Sequence, residues 1–271
     1  MMMFLCGIYI DNFHGLWGIY KLPLGVAIAL TLVSCVGIIN SINLIDGVDG
    51  LCSGYGMFAS LLYGICFLRM GDVSYAVLAF SLFGSLIPFL LHNVFGKKYK
   101  MFLGDGGSLV LGFICSLYVM RVIQSGSDYI TGSTISFTLA VLAVPVFDTL
   151  RVMTARMAKG RSPFSPDKAH LHHMFIKLGC SHVMTTLNIL ILNGLVVVIW
   201  HMCNVFNLNG EWQLFVTALS AFMLTWGLYY TMDYVERHSP HTYERMQAWV
   251  DSHSVRRSGV LLKIQNMLDS I

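Results

Sequence analysis

Seven apolar stretches, near 24–45, 50–69, 74–93, 107–124, 134–150, 184–204 and 212–231, set the terms for this chain. Each approaches or reaches the ~20 residues that an α-helix needs to cross a bilayer, those at 107–124 and 134–150 being the shortest. Only 11% of the residues are charged and the mean hydropathy is +0.67, whereas a soluble domain carries roughly a quarter charged residues. Lipid is therefore the main solvent. An unpaired backbone N–H or C=O is too costly in hydrocarbon, so a crossing segment must be a helix or part of a closed barrel, and no alternating pattern here suits barrel strands. The fold expected is an all-α, polytopic transmembrane bundle of about seven complete spans over residues 1–231, with a polar tail at 232–271 that is either a surface helix or disordered. Residues 1–10 are apolar without the basic start of a signal peptide, and are expected to be the tail of a helix whose beginning is missing. The seven cysteines contain no Cys-x-x-Cys pair and read as small apolar residues.

Lys and Arg accumulate on the cytoplasmic side of membrane proteins. With alternating spans, one side receives the link 46–49, the loops 94–106 and 151–183, and the tail. That side holds fourteen of the seventeen Lys and Arg residues, the other only Lys21, Arg69 and Arg121. The first side is thus expected to be cytoplasmic, and Trp17, Tyr20, Trp200 and Trp212 fall near the opposite interface. Asp46, Asp49, the glycine-rich run around Asp105, Asp148 and the histidines at 170–173 all lie on the basic side. Carboxylates beside a membrane are costly unless paired or hydrated, so they are functional candidates by default. Their gathering on one face implies a single cytoplasmic active site; a transporter would place them near the midplane, open to both sides.

Three motifs carry chemistry. Asn40, Asn43 and Asp46 advance by three residues along one helix stripe, and Asp49 follows, although Gly47 and Gly50 argue for a break. Two carboxylates and two glycines suit a phosphate or metal site; an Asp-Gly turn explains one such pair better than two. The run Phe102-Leu103-Gly104-Asp105-Gly106-Gly107-Ser108 lets a backbone approach phosphates at a helix start, with Asp105 either a Mg²⁺ ligand or, like Ser108, a helix cap. The third begins at Pro145 and Asp148, one turn before Arg151, where a helix ion pair is the plain alternative. Beyond it, Ser165 as N-cap, Pro166 in the first turn and Gly179 past the end delimit a short helix with Leu171, Phe175 and Leu178 on its apolar face. Asp167, His170 and His173 form another stripe, and without a further Cys or Glu at zinc spacing it favours proton transfer or phosphate contact over zinc. Arg156, Lys159 and Arg161 either embrace an anionic donor or simply mark the cytoplasmic side.

Together the run Asn43 to Leu51, the run Phe102 to Gly112 and the loop from Pro145 to His173 resemble the polyprenyl-phosphate N-acetylhexosamine-1-phosphate transferases, in that family's order. The related phospho-MurNAc-pentapeptide transferases share the first two blocks, while Arg156 to Phe164 leading to His170-Leu171-His172-His173 is more similar to the branch that uses UDP-N-acetylhexosamines. The resemblance implies that undecaprenyl phosphate attacks the β-phosphorus of a UDP-N-acetylhexosamine. The group expected to move is GlcNAc-1-phosphate, with UMP released, Mg²⁺ or alternatively Mn²⁺ required, and a cell-envelope polysaccharide begun at the bacterial inner membrane. It further implies Asp105 as metal ligand, Asn43, Phe102, Gly104, Arg156 and Arg161 as substrate-binding residues, and Asp46, Asp49, His170, His172 and His173 as catalytic ones. Expected partners are the sugar nucleotide, the lipid phosphate and the bilayer, with a homo-oligomer open and nucleic acid excluded. The family's upstream Asp-Asp pair is absent, so the chain is expected to lack the enzyme's N-terminal part. The alternatives are an inactive truncated homologue or membrane partner subunit, and a phospho-MurNAc-pentapeptide transferase-like activity.

Overall fold

The computed structural model describes residues 7–125, 134–165 and 169–253, with 265, 267 and 268. Its helices are α1 (Leu24–Leu44), α2 (Leu51–Arg69), α3 (Val73–Phe95), α4 (Gly104–Ser125), α5 (Thr134–Val141), α6 (Ala143–Ala158), α7 (Leu171–Lys177), α8 (His182–Val205), α9 (Gly210–Phe222), α10 (Leu228–His238) and α11 (Pro240–His253). A π-helical turn at Met223–Gly227 joins α9 to α10 into one long rod. Helices α1 to α4, α8 and this rod are each long and apolar enough to cross a membrane, and the pair α5–α6, bent by 75°, makes a seventh. These are the seven apolar stretches of the sequence, but α6 continues about two turns past the expected end at 150. Arg151 and Arg156, expected in the loop 151–183, therefore sit on the same helix as Asp148.

The most extensive contacts pair α2 with α3 and α1 with α4. Small residues set these separations, as they do wherever helices approach closely in lipid. A Cβ on Gly112 of α4 would lie 2.8 Å from Ile39 Cα of α1, and one on Gly64 would lie 2.9 Å from the Phe80 ring. Buried aromatic rings fill the middle: Tyr63 stands 5.4 Å from Tyr118, and Phe137 4.9 Å from Trp200, between centroids.

The bend between α5 and α6 has a sequence cause and a structural remedy. Pro145 lacks an N–H, so the Val141 carbonyl one turn earlier has no intrahelical partner. The Tyr55 hydroxyl reaches that carbonyl at 2.6 Å. Asn193 of α8 donates from Nδ2 to the Ala140 and Val141 carbonyls at 3.2 and 3.0 Å, and its Oδ1 accepts the Val144 N–H at 2.9 Å. Both side chains are fully buried. The broken backbone is thus satisfied inside the bundle, the condition for irregular structure at membrane depth.

Two expectations change. Residues 7–10 are not helical; they lead into an antiparallel hairpin, β1 (Asn12–Leu16) and β2 (Ile19–Lys21). His14, Gly15, Trp17 and Gly18 all have positive φ, which no right-handed helix admits. The hairpin lies across one end of the bundle, where His14 Nε2 meets the Ile123 carbonyl at 2.6 Å and the Trp17 N–H meets Glu211 at 3.1 Å; residues 1–6 lie outside the described ones. The short helix near the histidines starts at Leu171 with His170 at its N-cap, six residues after Ser165. His170 therefore stands off the helix and cannot share a helical stripe with His173, while Pro166 and Asp167 lie outside the described residues. Gly179 does follow its end, at φ +100°. Of the two alternatives for the tail, a helix is found at α11, where Gln247 donates to the Lys177 carbonyl at 3.1 Å; Lys177 also pairs with Glu236 of α10 at 2.5 Å.

Candidate active site

At the end of the bundle away from the hairpin, the link 45–50, the loop 96–103, the start of α8 and the histidine segment meet. Gly50 opens α2 at φ +81°, and a Cβ there would sit 2.6 Å from Val94 Cγ2, so only glycine fits. Its N–H donates to Asn93 Oδ1 at 2.5 Å, and Asn93 Nδ2 donates to the Met101 carbonyl at 2.7 Å. One asparagine at the end of α3 thus stitches the link to the following loop. Asp49 Oδ2 takes Lys100 at 2.7 Å and stands 2.9 Å from His182 Nδ1, while Thr186 Oγ1 donates to the Asp49 carbonyl at 3.2 Å. Asp49 ties the link both to the loop 96–103 and to α8.

Asp46 has a different setting. Next to it, Asn43 Nδ2 donates to Ser108 Oγ at 2.8 Å, and Ser108 bonds back to the Gly104 carbonyl at 3.1 Å, so the end of α1 abuts the start of α4. Partial burial and then the negative charge of Asp105 push the Asp46 carboxyl up to about 6. The charge of Asp105 is thus felt at Asp46 across the junction of α1 and α4. Among the described residues no group of three or more His, Cys, Asp or Glu side chains gathers as a metal cage. The residues fit a hard divalent cation that takes one or two carboxylates and leaves its other positions to phosphate oxygens and water. Asp46 and Asp105 could hold it. Asp105 lies in the first turn of α4, where free N–H groups favour anions. Phe102 is 72% exposed before that turn, with Lys100 Nζ 5.1 Å from its ring centre.

The histidine segment closes the site from another side. A Cβ on Gly47 would lie 3.1 Å from His172 Nε2, which puts this imidazole directly against the link beside Asp46. The His172 ring lies 4.2 Å from His173 and runs parallel to His170 at 5.6 Å. Burial, reinforced by the neighbouring His173 and His170, pulls its pKa down to about 3, so it stays neutral. His170 Nδ1 is 2.9 Å from Asp148 Oδ2 on α6. Arg156, nearly buried, donates from Nη1 to the Pro163 carbonyl at 2.6 Å and braces the loop after α6, on which Arg161 and Phe164 are exposed.

Of the residues singled out in sequence, the structure brings Asn43, Asp46, Gly104, Asp105 and His172 around one point, with Asp49 beside it. Asn93, Lys100 and His182, which shape the link, were not foreseen as site residues; Asp148 was a functional candidate in sequence, with a helix ion pair to Arg151 as the alternative, and that pair is present. An apolar groove of about 710 Å³ runs along the bundle toward this region. It extends from Phe13 and Ile123 near the hairpin, past Leu30 and Val33, to Asn40, Met153 and Phe164. Asn40 is one helical turn before Asn43.

Residues 1–123 match glycosyl transferase family 4. A Yersinia pestis protein named undecaprenyl-phosphate alpha-N-acetylglucosaminyl 1-phosphate transferase is 30% identical over 226 residues, covering 82% of this chain and 61% of the relative. Its Salmonella typhi namesake is 31% identical over 231 residues, with 83% and 61% covered. The decaprenyl-phosphate N-acetylglucosaminephosphotransferase of Mycobacterium leprae is 34% identical over 206 residues, covering 66% of this chain and 51% of the relative. The chain spans about three fifths of the length of the first two of these proteins. The match over the first 123 residues, with a similarity that continues well past them, makes the chain similar to glycosyl transferase family 4.

Proposed function

We propose that this chain transfers GlcNAc-1-phosphate from UDP-GlcNAc to undecaprenyl phosphate at the cytoplasmic face of the bacterial inner membrane, releasing UMP. The observation that carries this reading is the junction of α1 and α4, where the Asn43–Ser108 hydrogen bond brings the ends carrying Asp46 and Asp105 together and the charge of Asp105 helps raise the Asp46 carboxyl. A Mg²⁺ or Mn²⁺ ion held there would neutralise charge on the diphosphate of the donor. The lipid-phosphate oxygen bonds to the β-phosphorus, the bond from that phosphorus to the bridging oxygen breaks, and the electron pair leaves with UMP. Such transfers rest on positioning and charge neutralisation more than on covalent help from the protein. The N-terminal amides of α4 and Lys100 supply positive potential, and exposed Phe102 offers a face for the uracil ring. Neutral His172 can donate or accept a hydrogen bond without placing a second cation beside the metal. The apolar groove suits the polyprenyl tail, and its end near Asn40 brings the phosphate to the carboxylates. The names of the relatives support the same transferred group and lipid acceptor, and the fourteen-to-three charge asymmetry supports the same orientation.

The test is UMP release by the chain purified in detergent with undecaprenyl phosphate and UDP-GlcNAc. Turnover should need added Mg²⁺ or Mn²⁺ and stop in excess EDTA. Asp105→Asn should lower kcat by about a hundredfold or more, the scale on which one charged stabilising group matters in such reactions. Undiminished turnover in EDTA would remove the metal from the reading.

A further inference from the structure

Asp148 is the most heavily bonded side chain near the site, yet the reaction as derived gives it no part. It sits on α6, 3% exposed. Arg151, one turn later, donates to its Oδ1 from Nη2 at 2.7 Å and from Nε at 3.2 Å. The Leu171 N–H lies 3.1 and 3.2 Å from the two carboxylate oxygens, and His170 Nδ1 is 2.9 Å from Oδ2. Arg151 is itself fixed: its guanidinium covers the Tyr229 ring at 3.6 Å, and Nη2 donates to the Ala169 carbonyl at 2.5 Å. Three consecutive residues, Ala169, His170 and Leu171, are thus held by one buried ion pair.

That pair decides the state of His170. A carboxylate only accepts, so the proton between Asp148 and His170 belongs to Nδ1. In the neutral imidazole, the single proton on Nδ1 leaves none on the other ring nitrogen. Its Nε2 is then a bare acceptor. It is buried and has no hydrogen-bond partner among the described residues, which leaves it open to a donor from outside the chain. The same segment places His172 against Gly47, next to Asp46.

We propose that Asp148 is a positioning residue acting through His170: it fixes the tautomer in which Nε2 accepts, and that acceptor takes a hydroxyl or N–H of the sugar nucleotide. The proposal rests on the functional reading above, and two readouts keep them apart. In ¹⁵N-histidine-labelled protein in detergent, the His170 resonances, identified by their loss in His170→Gln, should report a protonated Nδ1 and a bare Nε2. Asp148→Asn offers an amide N–H to Nδ1 and should reverse this tautomer; Asp148→Glu, which keeps a carboxylate, should preserve it and serves if the asparagine variant does not fold. In the UMP assay Asp148→Asn should lower kcat at least thirtyfold, and Asp148→Asn/His170→Gln should be no slower than His170→Gln alone. The proposal is overturned if the parent carries the His170 proton on Nε2, or if Asp148→Asn costs as much in the His170→Gln background as in the parent. A parent without turnover strikes the functional reading and leaves the tautomer to decide this one.

Discussion

On the proposed reading, Asp46 is a place where a proton and a cation would compete. Its folded pKa of about 6 stands above the ordinary 3.8, so between these values the folded chain binds a proton that the unfolded chain does not. By linkage this group costs stability as pH rises through that window, and the cost persists above it. His172 is displaced the other way, from 6.5 to about 3, so its contribution is lost as pH falls through the same range. The difference made by Mg²⁺ isolates the first effect. Added Mg²⁺ should raise the melting temperature at pH 7.5, do little at pH 5, and lose most of its effect in Asp46→Asn; differential scanning fluorimetry in detergent reads all three. Gly50→Ala should lower stability by about 1–3 kcal/mol, because it combines a left-handed backbone with a 2.6 Å approach to Val94. Gly25, with open space around it, is the control. The importance of these positions was legible from residue types, since Asp-Gly twice over after an apolar helix is uncommon. Their partners were not: Lys100 and His182 lie 51 and 133 residues from Asp49, and nothing local joins them.

Helices were legible to within a few residues because hydrocarbon leaves a crossing chain so few choices. What hydropathy does not record is the state of each turn inside an apolar run. The stretch at 134–150 reads as one span, and Pro145 alone does not say whether the helix kinks or breaks. The answer depends on Tyr55 and Asn193, which arrive from α2 and α8 to take the freed backbone groups. Asn193→Leu should therefore destabilise the bundle by about 1–3 kcal/mol, the cost of leaving buried polar groups unpaired. A circular-dichroism melt in detergent should show it, and exchange protection should fall first at 140–144. The hairpin at 12–21 was missed for the opposite reason. Its strands are of five and three residues, too short for alternation to register, and the left-handed positions that shape it include a histidine and a tryptophan.

For the whole molecule, orientation is the property most exposed to test. The link 45–50, the loop 96–103 and the segment after α6 share one end, while the hairpin and Glu211 share the other. Single cysteines at Lys98→Cys and Gly160→Cys should react with a membrane-impermeant maleimide only from the cytoplasm, and Leu208→Cys only from outside. The six described native cysteines are buried, which keeps the background low. Labelling of Gly160→Cys from outside would separate the histidine segment from the carboxylates. Charge asymmetry made this arrangement readable, since lysines and arginines sort by side without regard to tertiary structure. The distances within the site were not readable, because they are set by helix contacts such as Gly112 on Ile39.

The groove beside α1 is open along its flank, and exposed Val33 and Phe164 form part of its wall. An acceptor lipid can therefore arrive sideways, without leaving its leaflet or threading an opening end-on. Encounter then occurs in two dimensions, and what governs it is the mole fraction of lipid in the surface, not its amount per litre. At fixed enzyme and fixed total undecaprenyl phosphate, adding inert detergent should slow turnover in proportion as it dilutes the lipid among micelles. The UDP-sugar, met from water, should keep the same KM throughout. A rate indifferent to that dilution would mean that the lipid is delivered from the aqueous side.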